Sequence, residues 1–137
     1  MVKAMDKRKA ALVAYDHAIK AIDSNDLRHA MKQLSIALSN ISGYLGDRDS
    51  DKIFVTASLI LSDIIMSVRL WSEYPINFLH TAMEVAKRLG DERDLAMINL
   101  HLGRIYFFLN SYDEAMDVFK TGMEIVNRLG DEDILIQ

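Results

Sequence analysis

Apolar residues recur along this chain with the spacing of amphipathic helices. Leu95, Ile98 and Leu102 are separated by three and four residues, and Ile105 and Leu109 continue the series on the same helical face. Short polar breaks separate this series from similar ones elsewhere in the chain. The pattern predicts six helices, at about 3–22, 26–44, 51–71, 75–89, 92–109 and 112–129.

A twelve-residue segment occurs twice. Residues 81–92 and 121–132 are identical at eight of twelve positions, with an offset of 40 residues. Both copies contain Leu-Gly-Asp, and the same triplet stands at 45–47, which is 44 residues before the middle copy. Three triplets at nearly constant spacing predict a single domain, 1–137, built from three structural units at about 3–45, 51–90 and 92–130.

The Leu-Gly-Asp triplets have a structural meaning. Glycine after a helical run can adopt the left-handed conformation that ends a helix, and the aspartate after it can cap the next helix. Arg88 and Arg128 lie in the last turn before two of the triplets, where the helix dipole favours a cation. Pro75 fits a first helical turn, because the backbone donor that it lacks has no partner there.

The composition supports an all-α fold class. The 137 residues include one proline, six glycines and no cysteine. So few turn-forming residues argue against a fold made of many strands and hairpins. The lack of cysteine excludes disulfides, thiolate nucleophiles and cysteine-ligated zinc.

The charge distribution excludes two classes of partner. The net charge is −4 at pH 7, and the chain has no basic stripe of the kind that neutralises nucleic-acid phosphates. The most apolar stretch, 53–71, contains Asp63 and Arg69, which favours a buried helix over a membrane span. No signal sequence follows the basic residues near the N-terminus. We therefore expect a soluble cytoplasmic protein that binds neither nucleic acid nor membrane.

The third unit resembles a tetratricopeptide repeat. The residues that match the family's pattern at the expected spacing are Leu102, Gly103, Tyr106, Tyr112, Ala115 and Phe119. Gly103 and Ala115 are small, so two helices could approach each other closely. Tyr106 and Phe119 are large, and we expect them to fill the volume between one helical hairpin and the next.

The other two units resemble the family less closely. The first keeps Ala18, Ala30 and Leu34, and the second keeps Ala82 with Ser62 as the small residue. The period of 40 to 44 residues exceeds the family's common length of about 34. It looks like the long-repeat variety found in signalling adaptors and in helical sensor arms of regulators. The resemblance implies a right-handed α-solenoid of three antiparallel helix hairpins, with six helices and a short C-terminal stub.

The last seven residues repeat an earlier opening. Residues 131–137 begin as residues 91–97 do, with Asp-Glu, and then include Ile134, Leu135 and Ile136. We expect the chain to be a fragment of a longer array in which a fourth unit begins here. The alternative is that these three apolar residues pack back on the third hairpin.

No catalytic or metal-binding constellation is evident. The four histidines, at 17, 29, 80 and 101, lack the spacing of a zinc motif. The acids at 47–51 begin as a calcium loop does, but Lys52 and Ser58 stand where the loop needs glycine and glutamate. No glycine-rich phosphate loop occurs. We predict a non-enzymatic protein without cofactor or metal, and a small enzyme with an unrecognised site is a third hypothesis.

The family resemblance implies a binding groove. In tetratricopeptide folds the first helix of each hairpin lines a concave surface that holds peptides. The corresponding residues here are Leu12, Tyr15, Ile19, Leu59, Asp63, Met97, Leu100, His101, Arg104, Phe107 and Phe108. This wall is mainly apolar, so the expected partner is a hydrophobic or amphipathic protein segment.

Two alternatives for this wall stay open. It binds a partner, or further repeats or self-association bury it, because large exposed apolar patches are rare in monomers. The family's clamp for a terminal carboxylate is not expected, since only Arg104 and His101 occupy suitable places and Asp63 would repel a carboxylate or pair with Arg104. The favoured function is a protein-binding scaffold. The alternative is a ligand- or peptide-sensing segment of a larger signalling protein or transcription regulator.

Overall fold

The computed structural model describes residues 4–130, with side chains from residue 7 onward. All regular elements in this range are helical, which confirms the all-α prediction. The six helices are α1 (Ala4–Asp23), α2 (Leu27–Ile41), α3 (Arg48–Ser67), α4 (Tyr74–Leu89), α5 (Glu92–Phe108) and α6 (Tyr112–Leu129). Residues 131–137, and with them the predicted fourth unit or stub, lie outside the described residues.

Two of the three Leu-Gly-Asp triplets end a helix as predicted. Gly90 and Gly130 adopt left-handed backbone conformations, with φ of 71° and 68°, directly after α4 and α6. Asp91 then caps α5, since its carboxylate accepts the N–H of Asp94 at 3.2 Å. Gly46 is different, because α2 already ends at Ile41 and continues as a short 3-10 turn.

Helix α3 starts earlier and ends earlier than the sequence pattern predicts. It starts at residue 48 because the Asp47 carboxylate accepts the N–H of Ser50. It ends at Ser67, and Arg69 takes a left-handed backbone conformation with φ of 59°. Trp71 therefore lies in the connection to α4 and not in the helix. Pro75 is in the first turn of α4, as predicted.

Each helix packs against its neighbours in the chain. The most extensive contacts join α1 to α2 and α5 to α6, and α3 also contacts α5. The main core takes fully buried residues from α2, α3, α4 and α5, among them Leu34, Leu61, Leu79 and Leu102. A smaller cluster between α5 and α6 is formed by Ala96, Leu100, Ile125 and Val126.

The two glycines inside α5 and α6 allow these helices to pack closely. A Cβ atom on Gly103 would lie 2.5 Å from the Phe119 ring, and one on Gly122 would lie 3.1 Å from Leu100. The Phe119 ring packs against α5 within the α5–α6 pair, and its predicted place between one hairpin and the next stays a prediction. Tyr106 does reach the preceding helix, since its hydroxyl lies 2.9 Å from His80 Nε2 on α4.

The arginines of the last turns of α4 and α6 each form an ion pair. Arg88 binds the buried carboxylate of Asp51, with Nη2–Oδ1 and Nε–Oδ2 distances of 3.0 and 3.3 Å. The same carboxylate accepts the N–H of Gly46 at 2.8 Å. Arg128 binds Glu92 on α5, and both of those side chains are exposed. The repeated arginine thus ties α4 to α3 and α6 to α5.

Candidate partner-binding site

The structure brings together some of the predicted groove residues of α3 and α5. Asp63 Oδ1 lies 4.0 Å from His101 Nε2. Farther along, the Trp71 ring stacks on the Phe108 ring with centroids 4.0 Å apart and an interplanar angle of 14°. We call the surface formed by Asp63, Trp71, Arg104, Phe107 and Phe108 the α3–α5 face.

One end of the α3–α5 face is aromatic and accessible. Phe107 and Phe108 end α5, and their side chains are 52% and 54% exposed. The Phe107 ring meets the Phe108 ring edge-on at 5.7 Å and the Tyr112 ring at 5.5 Å. Together with the Trp71–Phe108 stack, these contacts join four aromatic side chains in one continuous surface.

Trp71 was not among the residues assigned to the groove from sequence. The periodicity of α3 continues to residue 71, so the pattern places the tryptophan inside a helix. The early end of α3 instead lets the ring turn over the end of α5.

Two residues of the predicted groove are buried. Leu100 faces α6, where Gly122 leaves space for its side chain. His101 is only 4% exposed, and its Nδ1 lies 3.1 Å from Ser62 Oγ on α3. The physical reason is that α5 has packed neighbours on several sides, so that its apolar and small polar residues are covered by α3 and α6.

Burial determines the charge of His101. The pKa of His101 is lowered to about 4, mainly by desolvation. The Asp63 carboxylate has a smaller, raising effect on this pKa, and the Arg104 guanidinium has a lowering one. The imidazole is therefore neutral near pH 7 and offers no positive charge to a ligand carboxylate. The ion pair between Asp63 and Arg104 that the sequence analysis offered stays a prediction.

The other predicted groove residues lie apart from the aromatic end. Met97 is half-buried and packs on the small α5–α6 cluster, whereas Leu59 packs on the main core. Leu12, Tyr15 and Ile19 are on α1, whose main contact is with α2. Tyr15 packs on the main core, and this burial raises the pKa of its hydroxyl.

Ser62, His101 and Asp63 have the residue types of a hydrolase triad but not its accessibility. Ser62 has no exposed surface, so no substrate can reach its Oγ in this structure. The exposed member is the carboxylate of Asp63, which is the reverse of the arrangement that nucleophilic catalysis needs. Among residues 4–130 there is also no group of three or more His, Cys, Asp or Glu side chains that could hold a metal ion.

Within the described helices, none combines the length and the apolarity needed to cross a bilayer. Comparisons of the chain with protein-family models, with curated proteins and with solved structures found no match.

Proposed function

We propose that the chain is a protein-binding module of the tetratricopeptide type, a right-handed stack of three antiparallel helix hairpins. Its partner is a hydrophobic or amphipathic protein segment that binds on the α3–α5 face. The observation that carries this proposal is the continuous aromatic surface of Trp71, Phe107, Phe108 and Tyr112, with two half-exposed phenylalanines at its centre. Leaving such side chains in water is unfavourable, and aromatic side chains are enriched where partners bind.

The rest of the face gives the partner a preferred orientation. The Asp63 side chain is 69% exposed, and it accepts hydrogen bonds from a basic or amide group of the partner. The neutral His101 beneath it adds no charge. A bound segment therefore places its apolar side chains on the aromatic end and a donor group near Asp63. Because Trp71 and Phe108 already stack in the free protein, binding orders few additional side chains.

The single tryptophan of the chain makes this proposal testable by fluorescence. An array of synthetic amphipathic peptides is probed with the protein, and the peptide that binds best is titrated while the Trp71 emission is recorded. We expect a saturable change in emission, and the Phe108→Ala variant should bind at least about tenfold more weakly.

Two controls separate binding from folding. Val13→Ala removes another exposed apolar side chain, on α1, and should bind as the wild type does. Phe108→Ala should melt within about 4 °C of the wild type, because a half-exposed ring contributes little to stability. An emission that no peptide changes, or a Phe108→Ala variant that loses stability but not affinity, would contradict the proposal and indicate that the face is a packing surface.

A further inference from the structure

Helices α4 and α6 share two structural features at an offset of 40 residues. Thr81 and Thr121 each donate their hydroxyl to the carbonyl oxygen four residues earlier, at 3.3 and 3.1 Å. Gly90 and Gly130 end the two helices in the same left-handed conformation. Equivalent positions of the two helices can therefore be compared directly.

Helix α5 packs against one side of α4. His80 Nε2 lies 2.9 Å from the Tyr106 hydroxyl on α5, which shows where the following helix packs. Ile76 and Met83 are four residues before and three residues after His80, so they lie on the same face of α4. Both are half-buried against the main core. On α4 this side is thus partly covered, although His80 itself is exposed.

The equivalent side of α6 is open. Met116, Lys120 and Met123 occupy the places of Ile76, His80 and Met83, and the two methionines are 68% and 37% exposed. Tyr112 extends the same stripe by one turn and is also exposed. Its ring contacts Phe107, so Tyr112 belongs to the aromatic end of the α3–α5 face. We call the surface of Met116 and Met123 the α6 outer face.

The charges beside the α6 outer face are mainly negative. Three exposed acids, Asp113, Asp117 and Glu124, lie along one flank of the methionine stripe when α6 is viewed down its axis. Lys120 lies between the methionines and these acids. An apolar stripe with acids along one flank complements a helix that carries lysine or arginine beside its own apolar stripe. Exposed methionines suit such a partner, because their unbranched side chains adapt to different apolar surfaces.

We propose that the α6 outer face binds a basic amphipathic helix of another protein. The partner helix lies on α6 as α5 lies on α4, with its apolar side chains on Met116 and Met123. Its lysines or arginines face Asp113, Asp117 and Glu124. The two methionines are not part of the α3–α5 face, so the inference does not depend on the proposed function.

The test uses two labelled synthetic peptides and the full chain. Both peptides carry leucine at helical spacing along one face, and the leucine stripe is flanked by lysine in one peptide and by glutamate in the other. At low salt we expect the lysine peptide to bind at least about tenfold more tightly, with an affinity that falls as salt is added. Equal affinities would overturn the proposal.

Variants of α6 locate the binding. Met116→Gln/Met123→Gln should weaken the lysine peptide about tenfold, whereas Val13→Gln on α1 should not. Asp117→Asn/Glu124→Gln should remove most of the difference between the two peptides. The matched pair Asp16→Asn/Asp23→Asn on α1 should preserve that difference. A peptide that is insensitive to all α6 substitutions would contradict the assignment.

Further measurements distinguish other occupants of this face. Binding on α6 should leave the Trp71 emission unchanged, and a clear change would place the peptide on the α3–α5 face. A dimer in sedimentation equilibrium that Met116→Gln/Met123→Gln dissociates would assign the face to a second copy of the chain. A lysine-peptide affinity that rises in Ile134→Asn/Ile136→Asn would assign it to the chain's own last residues. Each of these three results would overturn the proposal.

Discussion

Helices α4 and α6 are similar in sequence over their last nine residues but differ in how they are covered. Both end in arginine, leucine and a left-handed glycine, and both carry a threonine that bonds to its own helix. Yet α4 packs against both α3 and α5, whereas the extensive contacts of α6 are with α5. The difference shows that the repeat specifies the local structure, while the neighbouring helices decide which of its side chains are buried.

The largest expected effect compares buried residues at equivalent positions. Leu79 of α4 is fully buried, and its counterpart on α6 is the half-buried Phe119. Leu79→Ala should lower the free energy of unfolding by about 3 kcal/mol, and Phe119→Ala by about half as much although it removes more atoms. Urea denaturation measures both values. A larger loss for Phe119→Ala would break the comparison, because α6 would then be as well covered as α4.

The second expected effect is a pH dependence of stability that arises from α5, the helix between α4 and α6. His101 of α5 has a pKa of about 4 in the folded protein, lowered by burial from 6.5. Between these values the unfolded chain binds more protons, so the stability falls as the pH drops from about 6.5 to about 4, by about 2–3 kcal/mol. Asp94 acts in the opposite direction, since its own burial and then the Asp91 carboxylate raise its pKa to about 6.

His101→Gln isolates the histidine contribution from that of Asp94. Glutamine can still hydrogen-bond Ser62 but does not titrate. The difference in unfolding free energy between the wild type and this variant should change with pH in that window and be constant above pH ~7. A difference that is independent of pH from 4 to 7 would show that the histidine is accessible to water.

A third, smaller effect compares the repeated arginines. Arg88→Met leaves the Asp51 carboxylate buried with, among the described residues, the Gly46 N–H as its one remaining hydrogen-bond donor, and it should cost about 2 kcal/mol. Arg128→Met breaks a pair whose two members are exposed, and it should cost less than about 1 kcal/mol. Thermal unfolding of the two variants under identical conditions makes the comparison. Equal costs would mean that the burial of Asp51 is irrelevant to stability.

The sequence predicted the helices well because their signals are local. Apolar spacing locates all six, and glycine and aspartate mark the ends of α4 and the start of α5 within the described range. The predicted end of α3 was wrong because Arg69 adopts a left-handed conformation, which is not expected for an arginine. That local difference moves Trp71 onto the α3–α5 face.

The burial of individual site residues could not be read from local signals. Leu100 is covered because Gly122, on the next helix, has no side chain, and His101 is covered because Ser62 lies opposite on α3. Both facts depend on how distant segments meet. For the same reason the position of Phe119 within the α5–α6 pair emerged only from its contact with Gly103.

Native-state hydrogen exchange tests the central claim most directly, namely that α6 repeats α4 with one side left open. The amides of Leu79 and Val85 on α4 are compared with their counterparts at Phe119 and Ile125 on α6. We predict that the α4 amides exchange only on global unfolding, and that the α6 amides exchange at least about tenfold faster through local opening. Equal protection of the two pairs of amides would contradict the claim.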